Sequence, residues 1–214
     1  GENMVKIWDV ERELCVQTME VDAFPTCITA DNGIPAAIGN SPSYVFAVGC
    51  NDGQINIFDR RMPQLKAHKL CNKYKEHKSY VLNVKMQKIN NTQIISGSTS
   101  GDIKFWDIRV DTGSVKTFEA HKGNITALSI HDYAPILASG SNNQFVKVFN
   151  TAGENLNVIY YHEGFLGQRI GPVSCLAFHP FKLCLASGST DTIIALYTGD
   201  VNFMNKMKKL EKKS

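Results

Sequence analysis

Few residues of the sequence combine the types and the spacing that a catalytic or metal-binding site requires. The run GSTSG at 97–101 resembles a nucleophile elbow, but it has threonine where the serine belongs and no helix is predicted after it. His162 and Glu163 lack the second histidine of a zinc helix, and Cys175 with His179 is an isolated pair. We therefore predict no catalytic residue, no bound cofactor and no metal site.

Cysteine spacing, hydrophobicity and charge exclude further classes of function. The six cysteines match neither a zinc motif nor a secreted disulfide framework, so we expect reduced thiols in a cytoplasmic protein. No apolar run approaches the roughly 18 residues of a membrane span, and no membrane insertion is expected. The net charge is +3, but residues 201–214 carry five lysines against one glutamate. The remainder is nearly neutral, which argues against a nucleic-acid-binding face.

A short motif recurs four times along the chain. A turn residue is followed six positions later by an aromatic residue, in the pairs Asp52 and Phe58, Ser100 and Trp106, Asn143 and Phe149, and Asp191 and Tyr197. Small residues precede each turn and an alternating strand follows it, which is typical of a tight hairpin. With VKIWD at 5–9 included, the aromatic residues recur every 43–50 positions. A repeat of this length, built from short strands, predicts a propeller blade.

Period-2 patterning completes each repeat with an inner apolar strand and, before it, an outer and more polar strand. This order resembles that of WD repeats. We therefore predict an all-β WD-repeat β-propeller with one partial N-terminal blade, which consists of the closing strand only, and four complete four-stranded blades. The chain is expected to be a fragment of a seven-bladed propeller. The predicted units are 1–10 (partial blade), 11–61, 62–110, 111–152 and 153–199 (complete blades), and 200–214 (a lysine-rich tail).

The resemblance to WD repeats implies a hydrogen-bonded set in each blade, made by a histidine, a strand serine, a turn aspartate and the closing tryptophan. Ser100 and Asn143 stand where two of the turn aspartates are expected. No repeat is predicted to have all four members, so we expect a degenerate propeller held by apolar packing. The members that the sequence retains are Asp52, His77, Ser96, Trp106, His121, Ser139 and Asp191.

Two loops are candidate protein-binding surfaces, because rigid scaffolds present their partner contacts on loops. The loop at 160–171 inserts extra residues between an outer and an inner strand, and aromatic residues and arginine are enriched in binding hot spots. Its candidates are Tyr160, Tyr161, Phe165 and Arg169, and the run DRRMP adds Arg60 and Arg61. The plainer alternatives stay open: Phe165 buried at a blade junction, Arg169 paired locally, and DRRMP as a solvated loop.

Much of the chain resembles the C-terminal WD-repeat domain of the Raptor family, whose members are scaffold subunits that pair with the TOR kinase in TOR complex 1. The resemblance implies a non-catalytic subunit that supports complex assembly and substrate recruitment in nutrient-responsive signalling and growth control. It also implies a cytoplasmic location with recruitment to the lysosomal surface. The matching stretches are VGCNDGQINIFDRRMP (48–63), YKEH (74–77), GDIKFWDIR (101–109), GSNNQFVKVFNTAGE (140–154) and YYHEGFLGQRIGPVSCLAFHP (160–180).

Two other classes of function stay open at this point. A generic WD-repeat module that reads a modified peptide or a nucleic acid would need an acidic or aromatic-caged pore, or a basic face. A propeller hydrolase would need acids or histidines that converge on the central channel. The inner strands VKMQ, LSI and CLAF offer apolar residues and one lysine there.

Overall fold

The chain folds into short antiparallel strands, and the computed structural model describes residues 3–30, 44–61, 70–87, 92–161 and 167–199. No helix in these ranges is long and apolar enough to span a membrane. The strands are β1 (Met4–Asp9), β2 (Leu14–Glu20), β3 (Pro25–Ala30), β4 (Val45–Cys50), β5 (Gln54–Asp59), β6 (Leu70–Lys75), β7 (Val81–Met86), β8 (Gln93–Ser98), β9 (Asp102–Asp107), β10 (Lys116–Glu119), β11 (Ile125–Ile130), β12 (Ile136–Ser141), β13 (Phe145–Asn150), β14 (Asn155–Ile159), β15 (Val173–Phe178), β16 (Cys184–Ser189) and β17 (Ile194–Thr198).

These strands form five antiparallel sheets, each a meander of strands that are consecutive in the chain. Sheet I is β1–β2, sheet II is β3–β6, sheet III is β7–β10, sheet IV is β11–β14 and sheet V is β15–β17. The first strands of sheets II to V contact one another in chain order. This is the arrangement of blades in a WD-repeat propeller, so the predicted all-β fold is confirmed, and the described residues form part of a propeller.

The assignment of strands to blades needs one correction. Each predicted outer strand pairs with the closing strand before it, as β6 does with β5 and β14 does with β13, and the next sheet begins at the inner strand. The described residues thus contain three four-stranded sheets, one of three strands and one of two, instead of four complete blades and a lone closing strand. A short connection favours a hairpin between neighbouring strands. Each predicted sequence repeat begins one strand before the sheet that contains most of it. The residue bounds predicted for these repeats remain a prediction.

The middle strands are buried on both faces because each inner sheet lies between two others. Consecutive residues of β8 show this, since Ile94 belongs to the apolar cluster shared with sheet II and Ile95 to the cluster shared with sheet IV. Burial of one such side chain contributes about 1.5–3 kcal/mol. The small residues of these strands allow the next sheet to approach: a Cβ on Gly49 would lie 2.7 Å from Val81.

Candidate protein-binding site

Sheet III contains a complete hydrogen-bonded set, contrary to the sequence prediction. Trp106 Nε1 donates to Ser96 Oγ at 2.8 Å, Ser96 Oγ lies 2.7 Å from His77 Nε2, and His77 Nδ1 lies 2.7 Å from Asp102 Oδ2. The missing aspartate is therefore Asp102, the first residue of β9, and not the turn residue Ser100. Ser100 instead donates to Asp102 at 2.7 Å. The prediction that no blade has all four members is wrong because an aspartate two positions past the turn still reaches the histidine.

The pKa of Asp102 shows that the set contains a carboxylate anion. Burial alone would raise this pKa, but hydrogen bonds from His77, Ser98 and Ser100 outweigh burial and lower it well below its usual range. The anionic Asp102 accepts a hydrogen bond from the N–H at His77 Nδ1. His77 Nε2 can then accept a hydrogen bond from the Ser96 hydroxyl. The donors and acceptors then form one continuous chain from the Trp106 indole to Asp102.

Sheet IV has only half of this set. His121 Nε2 lies 2.7 Å from Ser139 Oγ, but His121 Nδ1 is buried without a partner among the described residues. Phe145, the first residue of β13, stands where sheet III has Asp102, and Phe149 stands where it has Trp106. Burial, helped by the charge of Lys147, lowers the pKa of His121 to about 4, so the ring is neutral.

The two remaining predicted members, Asp52 and Asp191, accept hydrogen bonds from backbone N–H groups of turns and loops. Asp52 accepts a hydrogen bond from the backbone N–H of Gln54 at 3.2 Å and lies 3.8 Å from Lys75 Nζ. Asp191 accepts from the backbone N–H of Gly171 at 2.9 Å, which ties the long loop to sheet V. Both aspartates have a structural role here.

The hairpin turns of sheets II and III pack closely against the loop that follows each of them. Gly53 and Gly101 end the first two turns at positive φ, and a Cβ on either would overlap the carbonyl oxygen of His77 or His121. In sheet IV the equivalent residue is Gln144, at φ 66°. The loop that faces it comprises residues 160–172, against 76–80 and 120–124 in the other two cases.

An open cavity of about 450 Å³ lies between the sheet IV turn and the long loop. Gln144, which takes the place of the glycines in the other two turns, contributes its side chain to the lining. The cavity is lined by Asn142, Asn143, Gln144, Phe145 and Arg169.

Of the four loop residues predicted to bind a partner, Arg169 lines this cavity, and Tyr160 and Tyr161 contact residues of its lining. The Arg169 guanidinium lies 5.4 Å from the centre of the Phe145 ring, and Tyr160 contacts the same ring edge-on at 4.9 Å. Tyr161 pairs with Arg169 through an isolated backbone bridge and is 59% exposed. Phe165 lies outside the described residues. The sequence reasoning missed Phe145, although its position four residues before Phe149 matches that of Asp102 before Trp106.

The second candidate surface contains an arginine that is already paired. Arg61 makes a bidentate contact with Asp59, with Nη2 to Oδ2 at 2.6 Å, and its guanidinium lies over the Tyr44 ring. Arg109 repeats the same contact with Asp107 in sheet III. Exposed pairs of this kind contribute little to stability, so the contact mainly orients the side chain. Arg60, beside it, is exposed, and a binding role for Arg60 and Arg61 stays a prediction.

No group of three or more histidine, cysteine or acidic side chains in the described ranges could hold a metal ion. His179 has another role, because its Nδ1 accepts the backbone N–H groups of Phe181 and Lys182, both at 3.1 Å. Cys175 is exposed on the inner strand of sheet V. His162 and Glu163 lie outside the described residues.

Comparison with known protein families identifies the repeat. The family model for the WD domain, G-beta repeat, matches residues 68–107, 112–150 and 164–198. Together these matches cover more than half of the chain, and the third begins within the long loop and contains Arg169.

Longer similarities extend over most of the chain. It is 41% identical over 199 residues to a protein raptor homolog from Dictyostelium discoideum and 35% identical over 201 residues to regulatory-associated protein of TOR 1 from Arabidopsis thaliana. Target of rapamycin complex 1 subunit mip1 from Schizosaccharomyces pombe is 34% identical over 199 residues. Each match covers 91–92% of this chain but only 12–14% of the relative.

A solved structure gives the same result in three dimensions. The crystal structure of Chaetomium thermophilum Raptor superposes with a TM-score of 0.77 at 31% identity, over 92% of this chain and 18% of that one.

Proposed function

Because the chain belongs to the WD-repeat family and is a homologue of the WD-repeat region of Raptor, we propose that it is the propeller of a non-catalytic scaffold subunit of TOR complex 1. The observation that supports this most directly is the similarity over 91–92% of the chain to several relatives, one of which is named as a subunit of that complex. As an adaptor it supports assembly of the kinase complex and substrate recruitment in nutrient-responsive growth signalling. Its partners are the TOR kinase and other subunits of the complex.

The structure suits a platform for protein contacts. Four apolar clusters join consecutive sheets into one rigid array, and the loops at the sheet ends are carried on it. Rigid elements beneath a binding surface limit the entropy that association costs. The cavity beside Phe145 and Arg169 is the candidate contact surface of this part of the subunit. The protein acts in the cytoplasm and is recruited to the lysosomal surface with the complex.

Deletion tests the proposal. Full-length protein and a version that lacks residues 3–199 are each purified from cells by an affinity tag, and the TOR kinase that accompanies them is measured. We expect the deletion to reduce recovery of the kinase several-fold. Light scattering on the shortened protein controls for aggregation. Undiminished recovery of both the kinase and its substrates would contradict a scaffold role for the propeller.

A further inference from the structure

The geometry of the sheet IV turn leads us to a specific partner chemistry. We infer that the cavity between residues 142–145 and Arg169 binds an acidic segment of a protein partner, with a carboxylate at the Arg169 guanidinium. This inference rests on the proposed function, because it assigns the kind of ligand that the propeller surface of the scaffold takes.

Charge is the first argument. Three other arginines each contact an aspartate two or three positions earlier: Arg12 with Asp9, Arg61 with Asp59, and Arg109 with Asp107. Arg169 differs, because within the described ranges its guanidinium contacts the Phe145 ring and no carboxylate. Among the described residues, no acidic side chain lines the cavity. A carboxylate from outside would therefore supply the partner that the other three arginines find within their own hairpins.

The orientation of Arg169 is the second argument. A guanidinium that lies over an aromatic face keeps its N–H groups in its own plane, so they remain available at the edge. That edge can donate two parallel hydrogen bonds to one carboxylate. The Phe145 ring also shields one side of the charge from water, which strengthens such a contact.

The rest of the lining suits a peptide. Asn142, Asn143 and Gln144 offer amide donors and acceptors of the kind that pair with a peptide backbone. Tyr160, which is 43% exposed, lies outside the lining and contacts the Phe145 ring edge-on. The lining thus combines one cationic group, three amides and one aromatic ring.

The repeat itself is the third argument. Phe145 occupies the place of Asp102, and Arg169, four residues before its inner strand, occupies the sequence position of His77 and His121. Both positions belong to the internal hydrogen-bonded set in sheet III. At the junction of sheets IV and V, these positions are instead occupied by Phe145 and Arg169, whose side chains contact each other at the cavity. The two residues that depart from the repeat therefore belong to one surface.

Matched peptides test the inference on the full-length protein. Immobilised short peptides are prepared in sets that differ only at one central pair of residues, which is Glu-Glu, Gln-Gln or phosphoserine-Glu. Wild type is expected to bind the Glu-Glu member about tenfold more strongly than the Gln-Gln member, as one charge-assisted contact gives. Arg169→Gln should abolish this difference, and Arg169→Lys should restore part of it.

Arg109→Gln is the control, because Arg109 is also exposed but is already paired with Asp107. It should keep the wild-type preference, and thermal melting confirms that each variant is folded. Equal binding of the Glu-Glu and Gln-Gln members, or the same preference in Arg169→Gln, overturns the inference. A preference for the phosphoserine member over Glu-Glu overturns the carboxylate as the ligand. Kinase recovery by Arg169→Gln is measured in parallel, so failure of the peptide result is distinguishable from failure of the scaffold role.

Discussion

Sheets III and IV each contain four antiparallel strands in the same chain order, yet they use equivalent positions differently. In sheet III, Asp102 and Trp106 complete a hydrogen-bonded chain through His77 and Ser96. In sheet IV, phenylalanines occupy both places. His121 has only the hydrogen bond with Ser139 among the described residues, and Phe145 contacts Arg169 at the surface. The difference teaches that one blade of a repeat protein can give up internal hydrogen bonds for surface aromatic contacts while its neighbours maintain the fold.

The largest expected effect is in the complete set. Trp106 is 1% exposed and its ring lies tilted against that of Tyr74, with the centroids 4.8 Å apart, in addition to its hydrogen bond to Ser96. Trp106→Ala should reduce the free energy of unfolding by about 3–5 kcal/mol, the range for truncation of a large buried aromatic residue. Chemical denaturation of the full-length protein measures this loss.

Phe149→Ala is the matched change in sheet IV, and it should cost less because no hydrogen bond is lost with the ring. Equal losses for the two variants would show that the hydrogen-bonded chain adds nothing to apolar packing. A loss too small to measure for Trp106→Ala would remove the assignment of the set.

The comparison of these sheets also shows which features of the fold and of the candidate site can be predicted from the sequence. Strands and repeat were predictable, because alternating apolar residues and small-residue turns are local signals. Asp102 was missed because the turn was searched at a fixed spacing of six, whereas hydrogen bonding depends on where the carboxylate reaches. Phe145 was missed for the same reason, and the cavity depends on the tertiary contact between Phe145 and Arg169. Each outer strand pairs with the closing strand of the preceding repeat, and the pattern within a single repeat does not indicate this pairing.

A smaller effect is expected from acid, and it should arise in sheet IV. Burial lowers the pKa of His121 to about 4 in the folded protein, while the unfolded chain has the ordinary value near 6.5. Between these values the unfolded state binds more protons, so the stabilisation is present above pH 6.5 and is lost as pH falls towards 4. The loss should be at most about 3 kcal/mol, since each pKa unit corresponds to about 1.4 kcal/mol, and denaturation at several pH values measures it.

Phe145→Asp converts this part of sheet IV towards sheet III and sharpens the comparison. The new carboxylate would face His121 Nδ1, raise the pKa of His121, and flatten the pH dependence between 6.5 and 4. Proton NMR titration of the histidine follows the shift directly. An unchanged His121 titration in this variant would mean that position 145 does not reach the ring as Asp102 reaches His77.

The smallest effect is expected at the turns, where the two sheets differ in backbone conformation. Gln144 has φ 66°, a region that costs a non-glycine residue roughly 1–2 kcal/mol, and Gly101 has φ 88° at the equivalent place. Gln144→Gly should therefore raise the free energy of unfolding by up to about 1 kcal/mol, after the added entropy of the unfolded chain is subtracted. Gly101→Ala should lower it by more, because the new Cβ would also overlap the carbonyl oxygen of His121. Thermal melting of both variants gives the two signs, and destabilisation in both would mean that the positive φ of Gln144 does not strain the turn.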